Sequence, residues 1–449
     1  MSKKTRGSLS FKSLKKQCAE IGFRNEKQTI LVSSPDTKSA LATALLCRGI
    51  MKSGGKFHIS FEHPIVNIDR IIELRSLHES ANLIFVGIDT LGKKRIRKGI
   101  GYPLFLGGIS ESEQIESMTC GTTDTVTAAG YVFSEELLAT SDYDLQIAAG
   151  AILLGTGPTK LIQKVDNEIV EKAREKKIIE ERKGVRLFGF GSLPLDELFL
   201  YSTRPFIPGL SGNQKACDSL LTEAEIPVTK LRTPMSELNS KEAQNLTQHL
   251  TSKLLDEFGP RIMAHIMGTD YILLLESENS PLRYLSGLEA IAETSWARQE
   301  QGAAMSIWIG DRGRALRSVI DTYLSHHKDV ISTIERLQTK LKGTSTETGT
   351  SIEVAGVQSE LLTDVGRVTL QSGIANQERP LLINSDESTV AIWADENLDT
   401  KALLQTLQNR GLNPILTSTK SFLFKGLSKE LRADVLKSVG LVTEKEVPS

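Results

Sequence analysis

Residues 31–42 read LVSSPDTKSALA. The run Thr29–Val32 ends in a polar turn, SSPDTKS, and a helical pattern, SALATALLCRGIMKSG, begins straight after it. Strand, polar turn and helix in immediate succession open an α/β unit, and the loop beyond the strand's carboxyl end is where such units bind ligands. This loop holds one carboxylate, Asp36, with Lys38 two residues on. Asp36 is therefore either part of a working site or what is left of one.

The same rhythm extends outward. QTILVS, KFHISFE, ANLIFVGI and YPLFLGG have strand character and alternate with helix-like SALATALLCRGIMKSG and NIDRIIELRSLHES, which predicts a doubly wound parallel sheet. TVTAAGYVFSEELL then leads to LQIAAGAILLGTG, apolar enough to be fully buried, and residues 26–165 form the first α/β domain. Upstream, residues 1–25 are a basic leader in which Lys3, Lys4, Arg6, Lys12, Lys15 and Lys16 precede any acid. It reads as a solvated arm or a nucleic-acid contact. Downstream, NEIVEKAREKKIIEERKG sets Glu168 four residues before Lys172 on one helical face, and 166–184 is expected to be an exposed connecting helix. A mixed α/β middle region spans 185–342, and GTSTETGTS, 343–351, has linker composition. Residues 352–449 form a small C-terminal α/β domain: STVAIWA and SFLFKG flank the helix DTKALLQTLQNRG, and KELRADVLKSVG closes it.

With 449 residues the chain accommodates two or three domains. Its net charge of -1 supplies no global field that would draw it to DNA or a membrane. No apolar run approaches a membrane span, and the amino terminus has no signal-peptide core. Cys18, Cys47, Cys120 and Cys217 are far apart with no CxxC pair, against a zinc knuckle or a secreted disulfide scaffold. A cytoplasmic, nucleoid-associated protein is the expectation.

The order of motifs resembles the RecJ-like branch of the DHH phosphoesterase superfamily, especially its archaeal members and the helicase-cofactor subunit related to them. Those enzymes open with a strand, H-x-D-x-D-G and a helix. A second strand ends in Asp, a third in Asp-His-His, and a later element supplies a further Asp. These residues hold two manganese ions that activate water against a phosphodiester. Here LVSSPDTKSALATALL stands for the first motif, LIFVGIDTLG for the second, YPLFLGGIS for the third and AAGAILLGTG for the fourth. The likeness continues through RPFIPGLSG, LRTPMSELNSKEAQNL, GTDYILLL and EAIAETSWARQEQGAAMSIWIGDRGRAL. The last segment sits where the family has its DHHA1 domain, without the Gly-Gly-His-rich loop of that domain.

Almost every implied ligand is missing. The His position holds Ser34, the second Asp holds Lys38, and the Gly holds Ser39, so only Asp36 remains. The second motif's Asp falls on Gly87, the third's Asp-His-His on Gly107, Gly108 and Ile109, and the fourth's Asp on Leu154. One carboxylate beside a lysine does not neutralise two divalent ions. An ammonium at Lys38 would take over the positive role of a metal and pair with Asp36, leaving Asp36 as a remnant. No cofactor is expected; manganese is the alternative. Asp89, on a continued strand, would face the same side as Gly87 about 6.6 Å further along, and would serve a one-metal site only if the loop moved.

Other motifs carry less. His326 and His327 in DTYLSHHKD sit in a helical pattern, where neighbours diverge by about 100°, so they do not converge on one ion and are expected on a half-exposed face. His58, His63, His78, His249 and His265 show no metal-ligand spacing. GLSGNQKACDSLL lacks the G-K-[ST] of a phosphate loop and the G-x-S-x-G of a hydrolase, and its Asn213 reads as a helix cap. Arg298, Arg312, Arg314 and Arg317 are candidate contacts to phosphates, or solvated and intramolecularly paired. Aromatic residues make up only 5% of the chain, against an extended stacking platform for single strands.

The resemblance implies a catalytically inactive RecJ-like protein. In this branch the cofactor of the replicative helicase binds GINS and, with it, the MCM ring in the CMG assembly, and contact with single-stranded DNA is implied too. Two alternatives are an active manganese-dependent single-strand exonuclease or phosphodiesterase using Asp36 and Asp89, and a regulatory partner of an active RecJ-like nuclease.

Overall fold

The structure, a computed structural model, describes residues 11–92, 94–99, 101–108, 114, 116–118, 125–154, 164–258, 260, 263, 266–338, 344–346, 349–371, 375–376, 380–393, 399–427, 431–432 and 435. The chain divides into two compact units. One comprises Met1–Arg182, Tyr271–Ser277 and Gln301–Leu316; the other comprises Lys183–Asp270, Glu278–Glu300 and Arg317–Ser449.

The first unit opens with helix α1 (Phe11–Glu20), strand β1 (Thr29–Ser33), helix α2 (Thr37–Lys52) and strand β2 (Phe57–Phe61). β3 (Ile65–Asn67), α3 (Ile68–Leu77), β4 (Asn82–Val86), β5 (Asp89–Leu91), β6 (Leu104–Leu106) and β7 (Glu116–Met118) follow. The main sheet has the order β2-β1-β4-β6-β7, every pair in it parallel. This is the predicted doubly wound α/β sheet. β1 and β4 are buried along their whole length, which is why they read as continuous apolar runs rather than alternating ones. Phe85 and Phe105 stack at 4.6 Å between ring centroids across β4 and β6, within a core that includes Ile71, Leu74 and Ile88.

α2 is the central helix. Ser39 to Cys47, Gly49 and Ile50 are all buried, against α4 (Val126–Leu137), α5 (Asp142–Leu153) and the helix Gln301–Ile309. Its partly buried Arg48 is held by Asp144 and donates to the Ile309 carbonyl at 2.6 Å. Among the described residues no helix is long and apolar enough to cross a membrane.

Two expectations fail in this unit. Residues 11–20 of the basic leader are not a solvated arm but α1, because Leu14 and Cys18 lie one turn apart and are both buried. Lys15 there bonds Glu135 at 3.0 Å. The charged segment 166–184 is not one exposed helix either. α6 (Lys164–Glu175) buries Val165, Ile169, Val170 and Ala173 on one face, and the chain then forms strand β8 (Ile179–Val185). β8 pairs with β9 (Met267–Leu273).

The second unit carries a six-stranded mixed sheet in the order β10-β11-β12-β13-β15-β14. These strands are β10 (Thr344–Thr346), β11 (Gly349–Glu353), β12 (Leu381–Asn384), β13 (Ser388–Ile392), β14 (Ile415–Ser418) and β15 (Ser421–Lys425). The expected linker 343–351 thus supplies strand residues, because Thr344–Thr346 folds back antiparallel on Thr350 and its neighbours. STVAIWA and SFLFKG pair antiparallel as β13 and β15. The helix of DTKALLQTLQNRG, Thr400–Asn409, is capped by Asp399. Most of KELRADVLKSVG lies outside the described residues. A second core, around Leu187, Phe199, Leu220, Leu246 and Leu250, is built from the first part of the middle region. There Asn213 caps the helix Gln214–Glu223, as expected, by accepting from Ala216 N at 3.1 Å.

Candidate functional site

The strand order reverses between β1 and β4, so the loops leaving their carboxyl ends flank the crevice where doubly wound folds bind ligands. Each loop continues the ladder for one residue. Ser34 N donates to Val86 O at 2.9 Å, Gly87 N to Leu106 O at 2.9 Å, and Gly107 N to Met118 O at 3.1 Å. The structure therefore gathers Ser34, Asp36, Lys38, Gly87, Gly107 and Gly108 at one sheet edge. Leu154 is the buried C-terminal cap of α5. Ile109, Cys120 and His265 lie outside the described residues.

Asp36 acts as the N-cap of α2. Its Oδ1 accepts from Ser39 N at 2.9 Å and its Oδ2 from Ser39 Oγ at 2.6 Å. Both oxygens face a helix start, satisfying an N–H that would otherwise be orphaned. Lys38 is half-buried, and its carbonyl accepts from Thr127 Oγ1 at 3.3 Å. Asp36→Ala is expected to lower stability by about 1 kcal/mol, the worth of one cap, read as a shift of the urea midpoint.

At Gly87, Gly107 and Gly108, three of the positions where the resemblance puts metal ligands, there is no room for a side chain. A Cβ on Gly87 would lie well under 3.0 Å from Ser39 Oγ, and one on Gly108 equally close to the Ile88 carbonyl oxygen. A Cβ on Gly107 would meet Val126 Cβ at 2.6 Å. Gly87 and Gly107 also have φ values of +66° and +70°, a region that L side chains rarely adopt. Ser34 is buried with its Oγ unpartnered among the described residues, and a lone hydroxyl is a poor ligand for a hard dication. The donor set does not fit two manganese ions. Among the described residues, no group of three or more His, Cys, Asp or Glu comes together to hold a metal.

Asp89 does not lie on the strand of Gly87. The positive φ at Gly87 turns the chain out of β4, and Asp89 begins β5, paired with Ile65 of β3 in a separate two-stranded sheet. The geometry on which a relocated metal ligand depended is absent.

His326 and His327 diverge as the helical pattern requires, but neither is half-exposed. Both are fully buried in the helix Arg314–Gln338. His326 Nε2 lies 2.8 Å from Asp364 Oδ2, and its Nδ1 lies 3.2 Å from Arg298 Nη1. His327 sits between the hydroxyls of Thr203 and Thr294, and burial holds its pKa well below the usual histidine value. Sequence reasoning missed this because the partners come from segments far apart in the chain. A polar pair within an amphipathic helix carries no signal of them.

The candidate arginines differ in how they are occupied. Arg298 grips Glu300 with two bonds, at 2.9 and 2.7 Å. Arg312 grips the buried Glu276 at 3.0 and 2.7 Å and also bonds Tyr143. Arg314 and Arg317 are exposed, three residues apart on one helix.

No family model matches the chain, and no curated protein does. Among solved structures, CDC45 from Entamoeba histolytica is similar over 96% of this chain and 97% of its own, with a TM-score of 0.59 at 10% identity. RecJ in complex with Mn2+ from Thermus thermophilus covers 99% of this chain and 56% of its own, with a TM-score of 0.46 at 10% identity. The chain has the fold of CDC45 along nearly its whole length.

Proposed function

We propose that this chain is a catalytically inactive RecJ-like protein that serves DNA replication as a cofactor of the MCM replicative helicase, together with GINS. The observation that carries the reading is the closure of the old ligand positions. Ser39, Val126 and the Ile88 backbone occupy the space that side chains at Gly87, Gly107 and Gly108 would need. A site that had only lost its ligands would keep a vacancy, whereas this one is packed. The likeness to CDC45 over nearly the full length of both chains supports a role built on the whole scaffold. GINS and MCM as partners follow from the motif resemblance. Contact with single-stranded DNA falls to the exposed Arg314 and Arg317, because Arg298 and Arg312 already hold carboxylates.

The test is nuclease activity of the purified protein on labelled single-stranded DNA and RNA with millimolar manganese, beside Asp36→Ala. No cleavage by either is expected, although the variant is less stable. Cleavage that tracks Asp36 would overturn the inactive reading and make this a rearranged exonuclease. Co-purification with GINS and MCM is expected from native extract. Recovery of an active RecJ-like nuclease without GINS would replace the helicase role with regulation of that nuclease.

A further inference from the structure

The connection from β5 to β6 carries KKRIRK, residues 93–98, with five cations in six positions, and residues 90–110 contain no acid. A charge run of this kind is usually a solvated face with no fixed course, but here it is held. Ile96 is 4% exposed and belongs to the core of Ile71 and Leu74. Its N–H donates to Gln114 Oε1 at 2.7 Å. Lys94, Arg95, Arg97 and Lys98, on either side of it, are exposed. The segment lies along α3: Lys94 reaches Asp69 in the first turn at 2.6 Å, and Arg97 reaches Glu79, just past the last turn, at 3.0 Å. One buried isoleucine thus fixes a strap of four exposed cations, and little ordering cost is left to be met on binding.

Among the described residues these four cations meet two carboxylates, and none bonds to Arg95 or Lys98. Arg97 is 79% and Glu79 52% exposed; exposed pairs contribute little, so a phosphate replaces such a carboxylate at small cost. Glu79 is also shared, because its charge acts on the buried Arg75 guanidinium. Lys98 Nζ lies 5.5 Å from the centre of the half-buried Tyr102 ring, a flat face beside the cations on which an unpaired base can stack. Clustered cations with an aromatic ring among them form the footprint of a nucleic-acid contact. A nucleic acid releases condensed counterions when a row of cations neutralises its phosphates. A short acidic peptide has none to release, so the same row favours the nucleic acid.

We propose that the strap 94–98 is a docking surface for single-stranded nucleic acid, bound through its phosphates without sequence choice. Arg95 and Lys98 make the first contacts, Lys94 and Arg97 exchange their carboxylates for phosphates, and Tyr102 seats one base. The proposal deepens the replication reading, on which it rests for the presence of an unwound strand, and adds a second surface to Arg314 and Arg317. The strap lies wholly within the first unit.

The experiment is fluorescence anisotropy of a labelled oligothymidylate titrated with the full chain over a series of sodium chloride concentrations. The wild type is expected to bind, and R95A/K98A should bind about tenfold more weakly at low salt. The slope of log K against log salt should flatten by about 1.4 in that double variant, at about 0.7 for each phosphate contact removed from a single strand. Arg95→Lys, which keeps the charge, should leave the slope unchanged. No binding by the wild type, an unchanged slope in the double variant, or displacement of the oligonucleotide by polyglutamate at equal charge concentration would each overturn the proposal. Weakening confined to R314A/R317A would sink the strap and leave the replication reading standing. Cleavage of the strand would sink the inactive reading, while the slope would still decide the strap.

Discussion

Asp364→Asn is expected to destabilise the protein by about 3–5 kcal/mol, the cost of removing one partner from a buried charge cluster. Asp364 is fully buried. Its Oδ1 accepts from Arg204 Nη2 at 2.6 Å and from Arg367 Nε and Nη2 at 3.0 and 2.9 Å. Arg298 can only donate, so His326 Nδ1 accepts from it and His326 Nε2 carries the hydrogen given to Asp364 Oδ2. Two guanidiniums and an imidazole therefore share one carboxylate, and an amide at 364 takes that charge from the partly exposed Arg367 and leaves the buried Arg204 only Glu293. Burial alone would push the Asp364 pKa up, but Arg204, Arg367 and the His326 hydrogen bond more than offset it and hold it well below the usual carboxylate value. The sign for pH follows. The contribution is complete above the unfolded-state pKa of about 3.9 and is lost as pH falls through the lower folded-state value. Urea unfolding at neutral pH should show the full loss in Asp364→Asn. An acid titration should show wild-type stability falling toward that of the variant. A difference under about 1 kcal/mol at neutral pH would mean that solvent reaches the two arginines.

The same cluster shows where sequence reading stops. Periodicity made β1, α2, β4 and β6 legible, because a parallel strand covered on both faces is apolar throughout and a helix at the centre of a unit is small and apolar all round. The loop after β1 was legible as a site position too, since a polar turn at the carboxyl end of a buried strand stands at the crevice where such folds take their ligands. Tertiary partners were not. Arg204 and Asp364 look like ordinary surface charges in sequence, and their burial follows from contacts across 160 positions of chain between them. Lys15 misled in the opposite direction: a basic stretch reads as solvated, yet Leu14 and Cys18 on one face fix it as a packed helix. Gly87 was read only as a missing ligand. Its backbone angle, which also removes Asp89 from the strand, becomes visible only in three dimensions.

An acid placed at position 87, where the resemblance puts one, should fail for a steric reason. Gly87→Asp is expected to cost about 3 kcal/mol or more, from strain at φ +66° together with overpacking against Ser39. The motif resemblance puts glycine at position 39 and an acid at 87, and here the Ser39 hydroxyl stands where that acid's Cβ would be. Ser39→Gly alone is expected to cost about 1–2 kcal/mol, through helix propensity and the bond from its hydroxyl to Asp36. The double variant should be more stable than the sum of the two losses by about 1–2 kcal/mol, because removing the hydroxyl relieves the clash. Strict additivity in a urea double-mutant cycle would show that Ser39 does not fill that space. Manganese titration by calorimetry should still find no binding in the double variant, since the Ile88 carbonyl and Val126 continue to close positions 108 and 107. Tight manganese binding there would mean that a single exchange had silenced the site, and that the remaining packing yields easily to a metal.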